Sequence, residues 1–591
     1  MTFSIALRLA SLCSKTTLRS LAVASLCASV SWTALATDVE PIIRYDSIHH
    51  PVIGERGMVA TQHRLASEVG AEIIAAGGNA IDAAVAVGFS LAVVLPRAGN
   101  LGGGGFMMIY LADQKKTVAL DYREMAPSGA TRDMFLDDDG KVDPARARFS
   151  LLSAGVPGTV AGLIHAQQHY GRLSLKQVLT PAIRQAEQGF VMTHDLAEKL
   201  AGASHLQRNK ASLNAYYKPD GSPYKAGELL RLPDLAWSLK QILLHGADAF
   251  YKGKIADRIV AEMSANGGLI THEDLENYRV VEREPVVGNY RGYQIASMPP
   301  PSSGGVHVVQ MLNILENFPL KDFGAGSAAT IHHMTESMKY AYADRSKYLG
   351  DPDYVTVPVA KLTDKAYARK LADQIAPDKV RPSSDILPGA ALATESHNTT
   401  HYSIMDAEGN AVANTYTLNF SFGSGITVPG TGIILNNEMD DFSAKPGVPN
   451  AYGLIGAEAN KIEPGKRPLS SMTPTLVFRD GEPFLVTGSP GGSRIITTVL
   501  ETITNMIDFD MNVAEAVSAP RFHHQWQPDM LFMEPGFSPD TQALLRQQGY
   551  KLRQVSTMGS AQSVTTRQGV FLGAADPRKP DAGAVPVPES D

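Results

Sequence analysis

After Cys27 the chain of 591 residues contains no cysteine, and its only other cysteine is Cys13. A mature chain starting beyond that point can form no disulfide, no thiolate nucleophile and no cysteine-held zinc site. Basic runs are also missing. The formal charge is −7, and without Arg8, Lys15 and Arg19 it is −10, which argues against a nucleic-acid partner. No apolar run reaches the roughly 20 residues that a membrane-crossing helix needs. The segment Ile81 to Leu95 is interrupted by Asp82 and closed by Pro96, so it reads as a buried helix.

What is present first is an export signature. Arg8, Lys15 and Arg19 precede an apolar stretch from Leu21 to Trp32, and Ala34-Leu35-Ala36 supplies an A-x-A cleavage site. Residues 1–36 are therefore expected to be a signal peptide, with a mature chain from Thr37 and no membrane span in it. The remainder is of ordinary globular composition, 44% hydrophobic and 19% charged, and is long enough for two to four structural units.

Apolar periodicity predicts two packed helices over 63–95, punctuated by Gly77-Gly78-Asn79, then strand-like runs around the glycine-rich 100–105. Residues 160–270 read as mostly helical, and a further helical stretch ends near Tyr348. Between Asp378 and Asn398 the pattern fades into linker composition. Hairpins follow, over 400–418 and 475–486, and then a helix over 494–507. The tail 576–591, rich in proline and charge, is expected to be disordered.

Several motifs fall short of a function. "HEDLE" (272–276) ends in Glu276 where the zinc motif needs histidine, and Thr271 with Asp274 fits a helix cap instead. "TGSPG" (487–491) has Thr487 in place of the first glycine of a nucleophile elbow. Ser222 and Lys225 form S-x-x-K, but no K-T-G follows. "LGGGG" has neither phosphate-loop nor dinucleotide spacing.

The adjacent pair Thr399-Thr400 admits three readings: β-branched residues opening a strand, part of the sequon Asn398-Thr399-Thr400, or a nucleophile. A threonine hydroxyl needs a base to take its proton. An N-terminal Thr399 would carry its own, an α-amino group with an unperturbed pKa near ~8. The glycines of "SPGGS", just before a helix, could aim backbone N–H groups at a developing oxyanion.

Long segments then tip the balance. "TTHYSIMDAEGNAVANTYTLN", "GTGIILNNEMDDFSAKPGVPNAYG", "KRPLSSMTPT" and "TGSPGGSRIITTVLE" together resemble the γ-glutamyltranspeptidases (glutathione hydrolases) of the bacterial exported type. "GGGGFMMIY", "DYREMAP", "PPPSSGG" and "YAYADRSKYLGDPDY" extend the likeness over nearly the whole mature chain. The resemblance implies an α/β fold, the αββα sandwich of the N-terminal nucleophile hydrolases. It also implies a precursor that cuts itself between Asn398 and Thr399 into a large subunit, 37–398, and a small subunit, 399–591, which stay together as a heterodimer.

Site roles follow from the same likeness. Thr399 is the expected nucleophile in both self-cleavage and turnover, and Thr417 is expected to orient the new N-terminus. Arg123, Ser470 and Ser471 are expected at the substrate α-carboxylate, and Asn419, Glu438 and Asp441 at the α-ammonium. Gly491 and Gly492 would form the oxyanion hole, and Tyr452 would be the lid. "PRAGN" (96–100) receives no role. No metal or organic cofactor is expected. Glutathione and other γ-glutamyl compounds are the expected donors; water, amino acids or dipeptides are the acceptors, in a bacterial periplasm. Two alternatives stand beside this reading: a glutaryl or cephalosporin acylase of the same superfamily, and an unprocessed, non-catalytic binding relative.

Overall fold

The computed structural model describes residues 41–386, 399–448, 450 and 453–589. The expected signal peptide, Asn398 and Tyr452 lie outside the described residues. The chain divides into two units at Ile48 and His49, and the second carries every named strand and helix.

Two seven-stranded antiparallel sheets form its centre. The strands contributed before residue 387 are β1 (Val52–Gly54), β2 (Gly57–Thr61), β3 (Gly104–Leu111), β4 (Lys116–Tyr122), β5 (Val281–Arg283), β6 (Val286–Tyr290) and β7 (Tyr293–Ser297). Those after residue 398 are β8 (Thr399–Asp406), β9 (Ala411–Thr417), β10 (Thr475–Arg479), β11 (Glu482–Thr487), β12 (Gln562–Arg567), β13 (Val570–Ala575) and β14 (Gly583–Pro586). One sheet runs β14-β2-β8-β9-β3-β4-β5, the other β1-β13-β12-β11-β10-β7-β6. Each sheet therefore contains strands from both sides of the expected cleavage point, and the two pieces share one core.

The faces of the first sheet separate cleanly. Along β3, Phe106 and Met108 enter the layer between the sheets with Met58, Leu476 and Val486. Met107 and Ile109 point the other way, into a helical layer. Both faces are buried, so β3 reads as a nearly continuous apolar run instead of an alternating one.

Helices cover the outer face of each sheet. On the first lie α1 (Arg64–Ala75), α2 (Ala80–Val94) and α3 (Thr159–Tyr170); on the second lie α4 (Gly304–Leu315), α5 (Ala328–Tyr348), α6 (Arg494–Ile507) and α7 (Val513–Ser518), with α5 and α6 stacked around α4. All fifteen residues of α2 are buried, as the interrupted apolar run predicted. Asn79 starts it in a capping box with Asp82, which relieves backbone donors that would otherwise be stranded in the core. No helix among the described residues is long and apolar enough to cross a membrane. Thr271 and Asp274 form the expected capping box, and no group of metal-ligating side chains occurs among the described residues.

One expectation fails. The tail is not disordered over its described length: β14 pairs with β2 at the sheet edge, and Asp576 is fully buried, bonded to Arg521 and Arg578. Proline and charge suggested a solvated end, but prolines are tolerated on an edge strand, and these charges are paired.

Candidate active site

Thr399 opens β8 and Thr417 closes β9, and the two are register partners across the ladder. Their hydroxyl oxygens lie 3.2 Å apart. Strand periodicity sorts the two adjacent threonines. Thr399, like Met405, faces the layer between the sheets, whereas Thr400 shares its face with Tyr402 and Ile404, toward the helices. Only Thr399 lines the pocket at this end of the sheet.

The turn after β9 brings the next groups into line. Asn419 has a left-handed backbone (φ 72°), and its N–H donates to Thr417 Oγ1 at 2.8 Å. Its side-chain amide donates to the carbonyl of Asn437 at 2.9 Å, tying the turn to the 3-10 turn Glu438–Asp441. Asn436 locks that turn in place through bonds to the carbonyls of Gly102 and Gly155.

Arg123 follows β4 directly and is fully buried. Nη1 donates to Glu438 Oε1 and Nη2 to Asp441 Oδ2, both at 2.5 Å, and Nε donates to the Pro468 carbonyl at 3.2 Å. The two expected halves of the head-group site, cation and acids, hold one another here. Three of the five guanidinium N–H groups are used, which leaves donors for an incoming carboxylate.

The electrostatics favour a cation as well. Burial raises the Glu438 carboxyl well above its ordinary range; Arg123 opposes this, and the neighbouring Glu124 and Asp441 reinforce it. Burial also lifts Glu124 to about 7, against the pull of Arg123. Glu438 Oε2 has no hydrogen-bond donor among the described residues. Three carboxyl groups around one guanidinium leave an acceptor surplus that an ammonium would satisfy.

Ser470 and Ser471 line the same pocket. Ser471 Oγ accepts from Arg345 Nη2 at 3.2 Å, and Arg345 Nε donates to Ser303 Oγ at 2.9 Å. Gly492 also lines it, with Gly491 immediately before it. Both glycines have positive φ, 141° and 57°, and their carbonyls accept from Arg494 and Ile495 as α6 begins. This winding at a helix N-terminus is suited to presenting backbone N–H groups to an anion.

Arg123, Thr399, Thr417, Asn419, Glu438, Asp441, Ser470, Ser471 and Gly492 thus line one pocket, and Gly491 adjoins it in sequence. Sequence reasoning missed three others. Asn100 donates to the Thr417 carbonyl at 2.9 Å while accepting from Gly103 N and Thr159 Oγ1. Glu124 and Arg345 complete the charged cluster. Asn100 lies in "PRAGN" and Glu124 beside Arg123, but nothing local signals that they reach the site.

The Gamma-glutamyltranspeptidase family model matches residues 66–585. The glutathione hydrolase proenzyme of Escherichia coli K12 is 54% identical over 571 residues, 96% of this chain and 98% of that protein. Among solved structures, cephalosporin acylase from Bacillus halodurans superimposes with a TM-score of 0.82 at 28% identity, covering 94% of this chain and all of that one. Helicobacter pylori γ-glutamyltranspeptidase matches at TM-score 0.54 and 51% identity, covering 55% of this chain and 94% of that one.

Proposed function

The chain belongs to the γ-glutamyltranspeptidase family, enzymes of γ-glutamyl hydrolysis and transfer built on the N-terminal nucleophile hydrolase fold, and from that membership we propose that Thr399 is its nucleophile and glutathione one of its donors. The observation that carries this reading is the pairing of Thr399 with Thr417 at a pocket whose far end is the Arg123–Glu438–Asp441 cluster. Residues 1–36 export the precursor to the periplasm. There Thr399 attacks the Asn398 carbonyl, the chain shifts onto its hydroxyl as an ester, and water releases the new amino terminus. Subunits 37–398 and 399–591 remain together because they share both sheets.

In turnover the α-amine of Thr399 takes the hydroxyl proton, and Oγ1 attacks the γ-carbonyl of the donor. Arg123, Ser470 and Ser471 receive its α-carboxylate; Glu438, Asp441 and Asn419 receive its α-ammonium. The N–H groups of Gly491 and Gly492 stabilise the oxyanion, a contribution of order 2.7–4 kcal/mol per donor in comparable sites. The departing amine takes the proton back, and water, an amino acid or a dipeptide then accepts the γ-glutamyl group. Tyr452 closes the pocket.

Mixing the purified protein with glutathione tests the reading: release of glutamate or of γ-glutamyl-dipeptide is expected. A protein that stays one chain and releases neither would be a binding relative. The likeness to a cephalosporin acylase keeps a second reading in view, cleavage of a glutaryl side chain. The acceptor surplus around Glu438 and Asp441 favours γ-glutamyl donors, because a glutaryl group brings no ammonium to it.

A further inference from the structure

Ser489, the serine of the elbow-like run "TGSPG", is fully buried two residues before Gly491. Its hydroxyl is engaged twice. Oγ accepts from Ser560 N at 2.8 Å and donates to the Pro490 carbonyl at 2.7 Å. The second bond reaches further than it looks, because the Pro490 carbonyl and the Gly491 N–H belong to one peptide group. That group is trans, so its C=O and N–H lie in one plane and point in opposite directions. Holding the carbonyl at one end therefore aims the N–H at the other.

We propose that Ser489 is the positioning residue of the oxyanion hole: through the Pro490–Gly491 peptide it sets the direction of the Gly491 N–H. The inference rests on the assignment of Gly491 and Gly492 to the oxyanion. Backbone restraint alone does not fix this peptide plane. Gly491 has φ 141°, and a glycine lacks the Cβ that would limit rotation on its side of the peptide. A plane next to glycine can turn over unless a group outside it holds on. The Ser489 hydroxyl supplies that hold, and by polarising the amide it also strengthens the N–H as a donor.

Ser489 is itself held from behind. Gly559, with φ 66°, packs so closely that a Cβ there would lie 2.8 Å from Ser489 Oγ. Ser560 Oγ accepts from Gln562 Nε2 at 3.0 Å. On either side, the Met558 carbonyl accepts from Arg521 Nη1 at 2.7 Å, and Ala561 N donates to Asp576 Oδ2 at 2.8 Å. Arg521 and Asp576 are paired at 2.7 Å. The buried ion pair fixes segment 558–561, the segment fixes Ser489, and Ser489 fixes the peptide.

The test separates transition-state from ground-state binding in the self-cleaved enzyme. Ser489→Ala removes the donor to Pro490 and leaves the Arg123 end of the pocket as it is. For a γ-glutamyl anilide, kcat should fall by roughly ten- to a hundredfold, less than the loss of a whole oxyanion donor, with KM unchanged. A glutamate analogue with a boronic acid in place of the γ-carboxyl supplies the second readout. Thr399 Oγ1 adds to its trigonal boron, the hydroxyl proton passes to the α-amine, and a tetrahedral boronate anion results. Inhibition by this analogue should weaken by the same factor as kcat, whereas inhibition by L-glutamate should not change. Ser489→Cys, a weaker donor of similar shape, should fall between serine and alanine, and it carries the same comparison where alanine prevents folding or self-cleavage. An unchanged kcat, or a loss shared equally by L-glutamate, would overturn the assignment. A boronate that does not inhibit the native enzyme would overturn the oxyanion reading itself, and this inference with it.

Discussion

Thr399 Oγ1 and Thr417 Oγ1 stand 3.2 Å apart at the paired ends of two central strands, and Asn419 N donates to the second at 2.8 Å. Thr417 is thereby held from behind while it meets Thr399. Replacing Thr399 with alanine removes the attacking oxygen and keeps the strand. Intact-mass analysis should show fragments 37–398 and 399–591, of 362 and 193 residues, for the native chain. Thr399→Ala should give one uncut chain without activity. A small fragment beginning at any other residue would refute the assignment.

Arg123→Lys keeps the charge but loses the planar fork that spans Glu438 and Asp441. Charge-assisted bonds are worth about 1.5–3 kcal/mol each, so KM for γ-glutamyl donors should rise by roughly ten- to a hundredfold. Steady-state kinetics with an unchanged KM would separate Arg123 from the donor.

The Glu438–Asp441 pair should distinguish γ-glutamyl from glutaryl substrates. A donor without the amine leaves the acceptor surplus around Arg123, with Glu438 Oε2 in it, unsatisfied, and polar sites reject such analogues by large factors. The native enzyme should prefer a γ-glutamyl anilide to its glutaryl counterpart by orders of magnitude in kcat/KM. Asp441→Asn should narrow that gap mainly by slowing the γ-glutamyl anilide. Equal turnover of the two by the native enzyme would make the acylase reading the better one.

Asn100 supports the site from outside the pocket. Asn100→Ala removes its bonds to the Thr417 carbonyl, Gly103 N and Thr159 Oγ1, at a cost of about 1–3 kcal/mol for the buried groups left unpaired. Self-cleavage should slow as Thr417 loosens, and the thermal midpoint should fall. Processing at the native rate with a lowered midpoint would show that Asn100 serves stability alone.

Glu501 should impose a pH-dependent burden on the fold. Its carboxyl ionises near 4.5 when unfolded but near 8 when buried in the native chain. Between those values the unfolded chain has released a proton that the native state keeps, so native stability falls as pH rises through this window and levels off above it. The burden is of order a few kcal/mol at pH 8. Glu501→Gln should therefore raise the thermal midpoint more at pH 8 than at pH 5. An equal shift at both values would mean that Glu501 ionises normally.

Local pattern determined much of this protein. The capped, apolar run of α2, the hairpins around 406–410 and 480–481, and the helix from Arg494 are all specified by neighbours a few residues apart, where periodicity and capping act. The long motifs carried the family, and with it the residues to look for. Tertiary structure alone decided the rest. It faced Thr399 into the pocket and Thr400 away from it, since strand register depends on which face is buried. It joined Asn100 to Thr417 across 317 residues and Arg123 to Glu438 across 315, pairings that no local periodicity or spacing encodes. It also turned the charged tail into an edge strand over paired buried ions, because whether a charge is solvated or paired depends on partners that are distant in the chain.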